Sequence, residues 1–309
     1  MSALSGKDIL STEQISDDEL SLILSTAARY EKALTAKMRL DVMTGQILAT
    51  LFFEPSTRTR LSFEAAMERL GGQVISVADP KTSSAAKGES LADSVRTVAG
   101  YADVIVIRHP QQGAAAESAR ASDVPVINAG DGTGQHPTQA LLDIYTIQKE
   151  KGRLKGLTVS LVGDLKNGRT VHSLVHLLAR FGARMHFVAP PGLEMPPQIV
   201  SALREQRVTV TESSDLAAAV RESDVLYVTR IQRERFEDPA DYERLKSSYV
   251  VDMALVQRAK SGITIMHPLP RVDEIAVGVD SYEGAAYFRQ AANGVPIRMA
   301  LLALITGRK

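Results

Sequence analysis

The chain has 309 residues, of which 44% are hydrophobic, and its 36 lysines and arginines balance its 36 aspartates and glutamates. This composition is typical of a folded globular protein with room for two domains, and zero net charge gives no reason to expect a nucleic-acid or membrane partner. The absence of cysteine excludes disulfides, thiolate catalysis and cysteine-ligated metals, and neither a targeting peptide nor an apolar run of about 18 residues is recognisable, so we expect a soluble, cytoplasmic protein.

The first half of the chain predicts alternating helices and strands. Ser16 caps a predicted helix that extends to about residue 37. Strands are predicted at residues 47–53, 74–77, 104–107 and 124–127, and a helix is predicted after each of them. The last of these helices begins at Pro137, a residue suited to the first helical position.

The alternation restarts after a polar patch at residues 149–155. Strands are predicted at residues 158–162, 184–188, 208–210, 225–229 and 263–266, with a weaker one at 249–251 and a final helix at 287–305. Strands that alternate with helices twice over predict an α/β protein with two doubly wound parallel sheets, and a domain boundary in or near the helix that begins at Pro137.

Residues 53–60 place hydroxyls and an arginine at the junction of a strand and a helix N-terminus. The unpaired N–H groups of a first turn and the helix dipole both favour an anion. The side chains added to them are Ser56, Thr57, Arg58 and Thr59. The sequence therefore predicts a phosphate cradle, although an ordinary N-cap beside a surface arginine would give the same pattern.

Further charged or polar residues follow other predicted strands. They are Arg108, His136, Arg169, Arg230 and His267. Each arginine taken alone reads as a surface charge, but ligands of open α/β sheets bind beyond the carboxyl ends of the strands. Four arginines at such positions, counting Arg58, predict a cleft between the domains that binds an acid with several negative charges. His136 is expected to donate to the substrate.

Other known site patterns are incomplete in this sequence. The glycine loop at residues 130–134 lacks the G-x-G-x-x-G spacing of a dinucleotide site, and no phosphate-loop lysine motif occurs. His172 and His176 lie one helical turn apart, but the glutamate of a zincin motif and a third ligand are missing, so we interpret both as surface or packing residues. We expect neither a metal nor an organic cofactor.

The motifs together resemble those of the aspartate carbamoyltransferase catalytic subunits, within the aspartate/ornithine carbamoyltransferase superfamily, along essentially the full length. The segments that carry the resemblance are residues 53–60, 87–89, 108–110, 136–139, 168–170, 229–232 and 267–270. Ornithine carbamoyltransferases carry His-Cys-Leu-Pro where this chain has His-Pro-Leu-Pro at 267–270, and Ser-Met-Gly where it has Arg-Ile-Gln at 230–232. A cation at Arg230 suits the side chain of aspartate and not that of ornithine.

The resemblance implies transfer of a carbamoyl group from carbamoyl phosphate to L-aspartate, which yields N-carbamoyl-L-aspartate and phosphate in de novo pyrimidine biosynthesis. It implies a carbamoyl phosphate-binding domain at residues 1–137 and 291–309, with the C-terminal helix packing back on it, and an aspartate-binding domain at 138–290. It also implies a homotrimer with shared active sites, and it leaves open a larger assembly with regulatory chains or another enzyme of the pathway.

The resemblance also implies roles for individual residues. Those implied to hold the phosphate are Ser56, Thr57, Arg58, Thr59 and Arg108. Those implied to donate to the carbonyl oxygen are Thr59, Arg108 and His136. Gln139 and the backbone carbonyls of Pro268 and Leu269 would accept from the carbamoyl NH2.

The aspartate carboxylates would be bound by Arg169, Arg230 and Gln232, with Lys87 also contacting this substrate. Ser83 and Lys87 would come from the neighbouring subunit. We expect catalysis to depend most on Arg58, Thr59, Lys87, Arg108 and His136, with no protein nucleophile and with the departing phosphate as acceptor of the amine proton.

Two alternatives remain at this point. An NAD-dependent dehydrogenase would share the two doubly wound domains, but the sequence lacks its fingerprint. A catalytically inactive carbamoyltransferase-like protein that serves as an assembly partner would share the fold, but here every motif residue is present.

Overall fold

The computed structural model describes residues 3–77, 88–231, 238–245 and 248–308. The backbone divides into two compact units, Met1–Leu142 with Asn293–Lys309, and Asp143–Ala292. The elements of the first half are α1 (Asp17–Thr35), β1 (Ile47–Phe52), α2 (Thr57–Arg69), β2 (Gln73–Val77), α3 (Leu91–Ala99), β3 (Val104–His109), α4 (Ala114–Ala121), β4 (Val126–Asp131) and α5 (Pro137–Lys151).

The elements of the second half follow in the same alternation. They are β5 (Thr158–Val162), α6 (Arg169–Arg180), β6 (Arg184–Val188), α7 (Pro197–Glu205), β7 (Val210–Ser213), α8 (Leu216–Glu222), β8 (Val225–Val228), α9 (Pro239–Leu245), α10 (Met253–Val256), β9 (Thr264–Met266), a 3₁₀ helix (Val277–Ser281) and α11 (Tyr287–Ile305).

The first unit contains a parallel sheet with the strand order β2-β1-β3-β4. All six residues of β4 and five of the six in β3 are buried, which suits strands covered on both faces by helices. The edge strand β2 is mostly exposed. The order places the carboxyl ends of β1, β3 and β4 side by side.

The second unit contains another parallel sheet, with the order β7-β6-β5-β8-β9. Its central strands β5 and β8 are fully buried. Here the carboxyl ends of β5, β8 and β9 are neighbours. The predicted class, two doubly wound parallel-sheet domains, is confirmed.

Several predicted element bounds differ from the structure. In the described part of the chain the weak strand at 249–251 was wrong, because Val251 makes only an isolated bridge to Ile275. The strand predicted at 124–127 begins at Val126, whose N–H donates to Asp8 Oδ1 at 2.8 Å, and continues to Asp131. The strand predicted at 208–210 is β7, which begins at Val210.

The division between the two compact units falls within α5, between Leu142 and Asp143. Asp143 is fully buried, and its two carboxylate oxygens accept from Tyr227 OH at 2.8 Å and from Gln290 Nε2 at 2.7 Å. These bonds attach Asp143 to the second unit, whereas Leu142 still groups with the first.

The C-terminal part of α11 packs in the first unit, as predicted. Gly6 N–H donates to the carbonyl of Ile305 at 2.8 Å, and the guanidinium of Arg298 lies 4.9 Å from the ring centre of Phe63. Among the described helices, α11 included, none combines the length and the apolar character that a membrane crossing requires.

The bond from Tyr227 to Asp143 gives a stability prediction. Tyr227→Phe removes a hydrogen bond to a buried carboxylate, so we expect the free energy of unfolding to fall by about 1.5–3 kcal/mol in urea denaturation. Tyr249→Phe is the control, because its hydroxyl donates to the carbonyl of Ser214 at an exposed position and its loss should cost less than about 0.5 kcal/mol. Equal losses in the two variants would contradict this account.

Candidate active site

The N-terminus of α2 is built differently from that of α1. At α1, Ser16 and Glu19 form a capping box, and three acidic residues occupy the first turn. At α2, within the described residues, Ser56 makes no side-chain cap bond and the first turn carries no acid. The first backbone bond of this helix runs from Arg60 N–H to the carbonyl of Ser56, so three N–H groups precede it. This helix end keeps its positive potential for an anion.

The side chains of that turn differ in exposure. Arg58 and Thr57 are exposed, Ser56 is half-buried, and Thr59 is only 6% exposed. Arg58 and the hydroxyls can therefore reach a ligand in front of the helix, while Thr59 lies at its base.

Arg108 joins the ends of three neighbouring strands. Its side chain, at the end of β3, lies 3.3 Å from Glu54 Oε1 after β1 and donates from Nη1 to the carbonyl of Ala129 in β4 at 3.2 Å. The backbone carbonyl of Arg108 accepts from Phe53 N–H at 2.8 Å. The residue is 9% exposed, so its charge lies at low dielectric beside the α2 N-terminus.

The loop between β4 and α5 is held by Asp131. Its Oδ1 accepts from Gln135 N–H at 3.0 Å and from Asn128 Nδ2 at 3.1 Å, and its Oδ2 accepts from Gly113 N–H at 2.9 Å. These bonds fix the chain just before His136, which is 4% exposed and directly precedes α5.

Gln139 lies in the first turn of α5 and is also buried, with its N–H donating to the carbonyl of His136 at 3.1 Å. The predicted residues of the first unit that the structure describes thus lie at three adjacent strand ends.

In the second unit, Arg169 and Arg230 follow β5 and β8, which are adjacent. Arg169 is the first residue of α6, and both arginines are half-buried. Gly163 allows the strand ends to approach, because its φ is +114° and an added Cβ would lie 2.2 Å from the carbonyl oxygen of Thr229. The two strands that precede Arg169 and Arg230 therefore end close together.

The loop after β9 carries Pro268 and Leu269, both half-buried. His267 is 1% exposed, its Nε2 lies 2.6 Å from Glu274 Oε1, and its Nδ1 accepts from Leu269 N–H at 2.8 Å. Burial raises the pKa of Glu274, but the hydrogen bond with His267 and the N–H of Val272 outweigh it, so the pKa is lowered overall.

Arg271, next along this loop, belongs to a structural cluster. Its Nη2 donates to Asp280 Oδ2 at 2.7 Å, and its guanidinium lies 5.2 Å from the ring centre of Tyr287. Burial and the hydrogen bond to Asp280 raise the pKa of Tyr287 to about 12. The charge of Arg271 is thus already paired within the protein.

The predicted site residues therefore form one set in each unit. The set in the first unit lies at or after three neighbouring strands and comprises Ser56, Thr57, Arg58, Thr59, Arg108, His136 and Gln139. The set in the second unit follows three neighbouring strands and comprises Arg169, Arg230, Pro268 and Leu269. Ser83, Lys87 and Gln232 fall outside the described residues.

Two family models match nearly the whole chain. The aspartate/ornithine carbamoyltransferase carbamoyl-P binding domain matches residues 7–149, and the Asp/Orn binding domain matches residues 155–305. The chain belongs to the aspartate/ornithine carbamoyltransferase family. The predicted resemblance is confirmed, and the dehydrogenase alternative has no support.

Relatives of this carbamoyltransferase-family chain point to the aspartate branch. It is 55% identical over 302 residues to an aspartate carbamoyltransferase catalytic subunit of Thermococcus gammatolerans, covering 98% of each chain. A crystal structure of aspartate transcarbamoylase from Trypanosoma cruzi in complex with carbamoyl phosphate and aspartate has a TM-score of 0.94 and 42% identity, covering 98% of each chain. The catalytic subunit from Methanocaldococcus jannaschii has a TM-score of 0.89 and 51% identity, covering 96% of each.

His172, the first histidine of the pair on α6, has a packing role. His172 is buried, and its Nε2 lies 2.7 Å from the carbonyl oxygen of Leu165. Among the described residues, no group of three or more His, Cys, Asp or Glu side chains is arranged to hold a metal.

Two site residues were missed by sequence reasoning. Glu54 lies within the motif at residues 53–60, but its contact with Arg108 depends on the pairing of β1 with β3, which the spacing of residues does not reveal. Glu274 lies seven residues after His267 in a loop without periodicity, and no sequence signal marks it as buried.

Glu274 gives a prediction about pH. Because its folded pKa is lowered, its contribution to stability is complete above about pH 4.3, the ordinary value in an unfolded chain, and is lost as pH falls through the lowered value. The difference in unfolding free energy between the wild type and Glu274→Gln should therefore be constant from pH 8 to about pH 5 and shrink below about pH 4. Exposed Glu283, changed to Gln, serves as control. A difference that does not change with pH would contradict the ionised, hydrogen-bonded state.

Proposed function

We propose that this chain transfers the carbamoyl group of carbamoyl phosphate to the amino group of L-aspartate. The observation that carries the proposal is the α2 N-terminus, which has hydroxyls, an exposed Arg58 and no acid in its first turn, beside the buried Arg108. In a member of this family, such an anion site suits the phosphate of carbamoyl phosphate.

The phosphate would be bound by charge-assisted hydrogen bonds. Ser56, Thr57, Arg58 and Thr59 would donate together with the first backbone N–H groups of α2, and Arg108 would add its guanidinium. Glu54 lies 3.3 Å from Arg108 and acts as its anionic partner before the phosphate arrives. Binding would thus replace one anion at Arg108 by another, which avoids leaving a buried charge unpaired.

The carbonyl group would be polarised by donors at its oxygen. Thr59, Arg108 and His136 are the proposed donors, and all three are buried, so their interaction with developing negative charge is strong. Gln139 and the carbonyls of Pro268 and Leu269 would accept from the NH2 group.

The carboxylates of aspartate would be bound by Arg169 and Arg230, with Gln232 and Lys87 proposed from the resemblance alone. Two half-buried cations after adjacent strands suit a dicarboxylate, whereas the ammonium of ornithine would be repelled.

The proposed reaction requires no protein nucleophile. The neutral amine of aspartate attacks the carbonyl carbon, a tetrahedral intermediate forms, and the bond from carbon to the phosphate oxygen breaks. The departing phosphate takes the proton that the amine loses, so atoms and charge balance. The protein contributes positioning and stabilisation of the oxyanion.

The direct test is product formation. Purified protein incubated with carbamoyl phosphate and L-aspartate should form N-carbamoyl-L-aspartate and phosphate in equal amounts, with little product from ornithine. A preference for ornithine would overturn the substrate assignment. Absence of product with either amine would favour the assembly-partner alternative.

We also propose that the protein is a cytoplasmic homotrimer with shared active sites. Its reaction would be the first step specific to pyrimidine synthesis. Large apolar side chains are exposed on the first unit at Leu61 of α2, Ile75 of β2 and Tyr101 after α3, which supports a subunit interface there. The relatives are named catalytic subunits, which supports assembly with a further chain.

The phosphate cradle predicts the effect of Arg58→Ala. Loss of a charge-assisted contact to a dianion should lower kcat/KM for carbamoyl phosphate roughly a thousandfold while the fold persists. Arg69→Ala, at the other end of the same helix, should leave the rate within about twofold. Near-normal turnover in folded Arg58→Ala would refute the cradle.

Arg230→Ala should act on the second substrate. Its KM for aspartate should rise roughly ten- to hundredfold, because one charged hydrogen-bond partner of a carboxylate is lost, with the KM for carbamoyl phosphate nearly unchanged. Exposed Arg221, changed to Ala, is the matched control. Equal changes for both substrates would assign Arg230 to the fold instead.

Shared sites predict complementation between inactive variants. Arg58→Ala and Lys87→Ala proteins should each be nearly inactive, yet refolding an equal mixture should restore about a quarter of wild-type activity. About three quarters of randomly mixed trimers contain both chains, and each of these has one native site in three. If mixed trimers form and activity does not return, Lys87 belongs to the active site of its own chain, and the proposal of shared sites is wrong.

A further inference from the structure

The loop after β9 contains a residue in an unusual backbone conformation. Leu269 has a φ of +56°, in the left-handed region that residues with a Cβ rarely adopt. Its N–H donates to Nδ1 of His267 at 2.8 Å. The side chain of His267 thus holds the peptide group between Pro268 and Leu269, next to the backbone carbonyls of these two residues.

The same histidine is bound on its other side by Glu274. His267 Nε2 lies 2.6 Å from Glu274 Oε1, and Glu274 Oε2 accepts from the N–H groups of Val272 and Asp273, each at 3.1 Å. A ring nitrogen that accepts from an N–H carries no proton, so Nδ1 is unprotonated and Nε2 donates to the carboxylate. Glu274 therefore selects the tautomer that can hold Leu269.

The backbone of His267 is fixed as well. Its N–H donates to Gln290 Oε1 at 2.8 Å, Gln290 Nε2 donates to Asp143 Oδ1, and Tyr227 OH donates to Asp143 Oδ2. All of these side chains are buried. The ring consequently has little freedom to turn or to change partners.

We propose that His267, oriented by Glu274, is a positioning residue that aims the carbonyls of Pro268 and Leu269 at the carbamoyl NH2. This inference rests on the proposed function. The ring itself is 1% exposed and both of its nitrogens are occupied, so it has no lone pair for the amine proton. His267 acts by orienting the backbone carbonyls that recognise the NH2 group.

Two substitutions at His267 separate its two bonds. In His267→Asn, the amide oxygen lies near the position of Nδ1 and can still accept from Leu269 N–H. In His267→Gln, the longer side chain reaches towards Glu274, and the acceptor for Leu269 N–H is lost. The readout is the ratio of the affinity for carbamoyl phosphate to that for acetyl phosphate, in which a methyl group replaces the NH2. We expect this ratio to fall about tenfold in His267→Gln and less than about threefold in His267→Asn. Equal falls would overturn the proposal.

Glu274→Gln tests the tautomer. Because the amide oxygen must accept from Val272 and Asp273, its NH2 faces Nε2, and the proton moves to Nδ1 opposite Leu269 N–H. The same ratio should fall about tenfold, with affinity for inorganic phosphate unchanged, and exposed Glu283→Gln should change neither. An unchanged ratio in Glu274→Gln would overturn the proposal.

The wild type supplies a test that needs no variant. Nitrogen-15 spectra of labelled histidine should show His267 as the Nε2–H tautomer, and an Nδ1–H tautomer would refute the positioning role even if the variants fail to fold. The proposed function fails separately, if the wild type forms no carbamoyl aspartate. Wild-type activity with unchanged ratios in the variants would refute the positioning role alone.

Discussion

The buried guanidinium of Arg108 is the constraint on which the first unit depends. A charge that is 9% exposed requires anionic or carbonyl partners, and here they come from Glu54 after β1 and Ala129 in β4. The register of three parallel strands is therefore coupled to the geometry of one cation. The α2 N-terminus follows the first of these strands, so the same constraint places the proposed phosphate donors.

Local electrostatics replace bulk charge in this protein. The net charge is zero, and the α1 N-terminus is neutralised by its own acids, whereas the α2 N-terminus carries none. In the second unit, Arg169 and Arg230 follow adjacent strands, whose ends approach closely at Gly163. The proposed specificity for a phosphate and a dicarboxylate thus needs only a few cations, each placed at the end of a strand.

Much of the fold could be predicted because its signals are local. The capping box at Ser16 and the proline that begins α5 are short motifs with a direct physical reason. The prediction of a strand at 249–251 was wrong because a short apolar run does not specify a pairing partner. Val251 makes only an isolated bridge to Ile275. The polar residues that follow the strands could be predicted as a group, because the carboxyl ends of parallel strands lie at the same edge of a sheet.

Contacts between distant segments were beyond prediction. The pairing of Arg108 with Glu54 needs the register of β1 and β3, and the burial of Glu274 needs the loop to fold over His267. Neither produces a periodicity or a spacing in the sequence. Each of these two contacts supplies a hydrogen-bond or charge partner for a buried polar group, and such a group becomes buried only when the chain has folded.

The central claim is that one phosphate site and one dicarboxylate site serve a single reaction. Calorimetry with N-(phosphonacetyl)-L-aspartate tests it directly, because this compound carries a phosphonate and both aspartate carboxylates on one molecule. We expect one binding site per chain and an affinity at least about a hundredfold above that of inorganic phosphate. An affinity no greater than that of phosphate would contradict it.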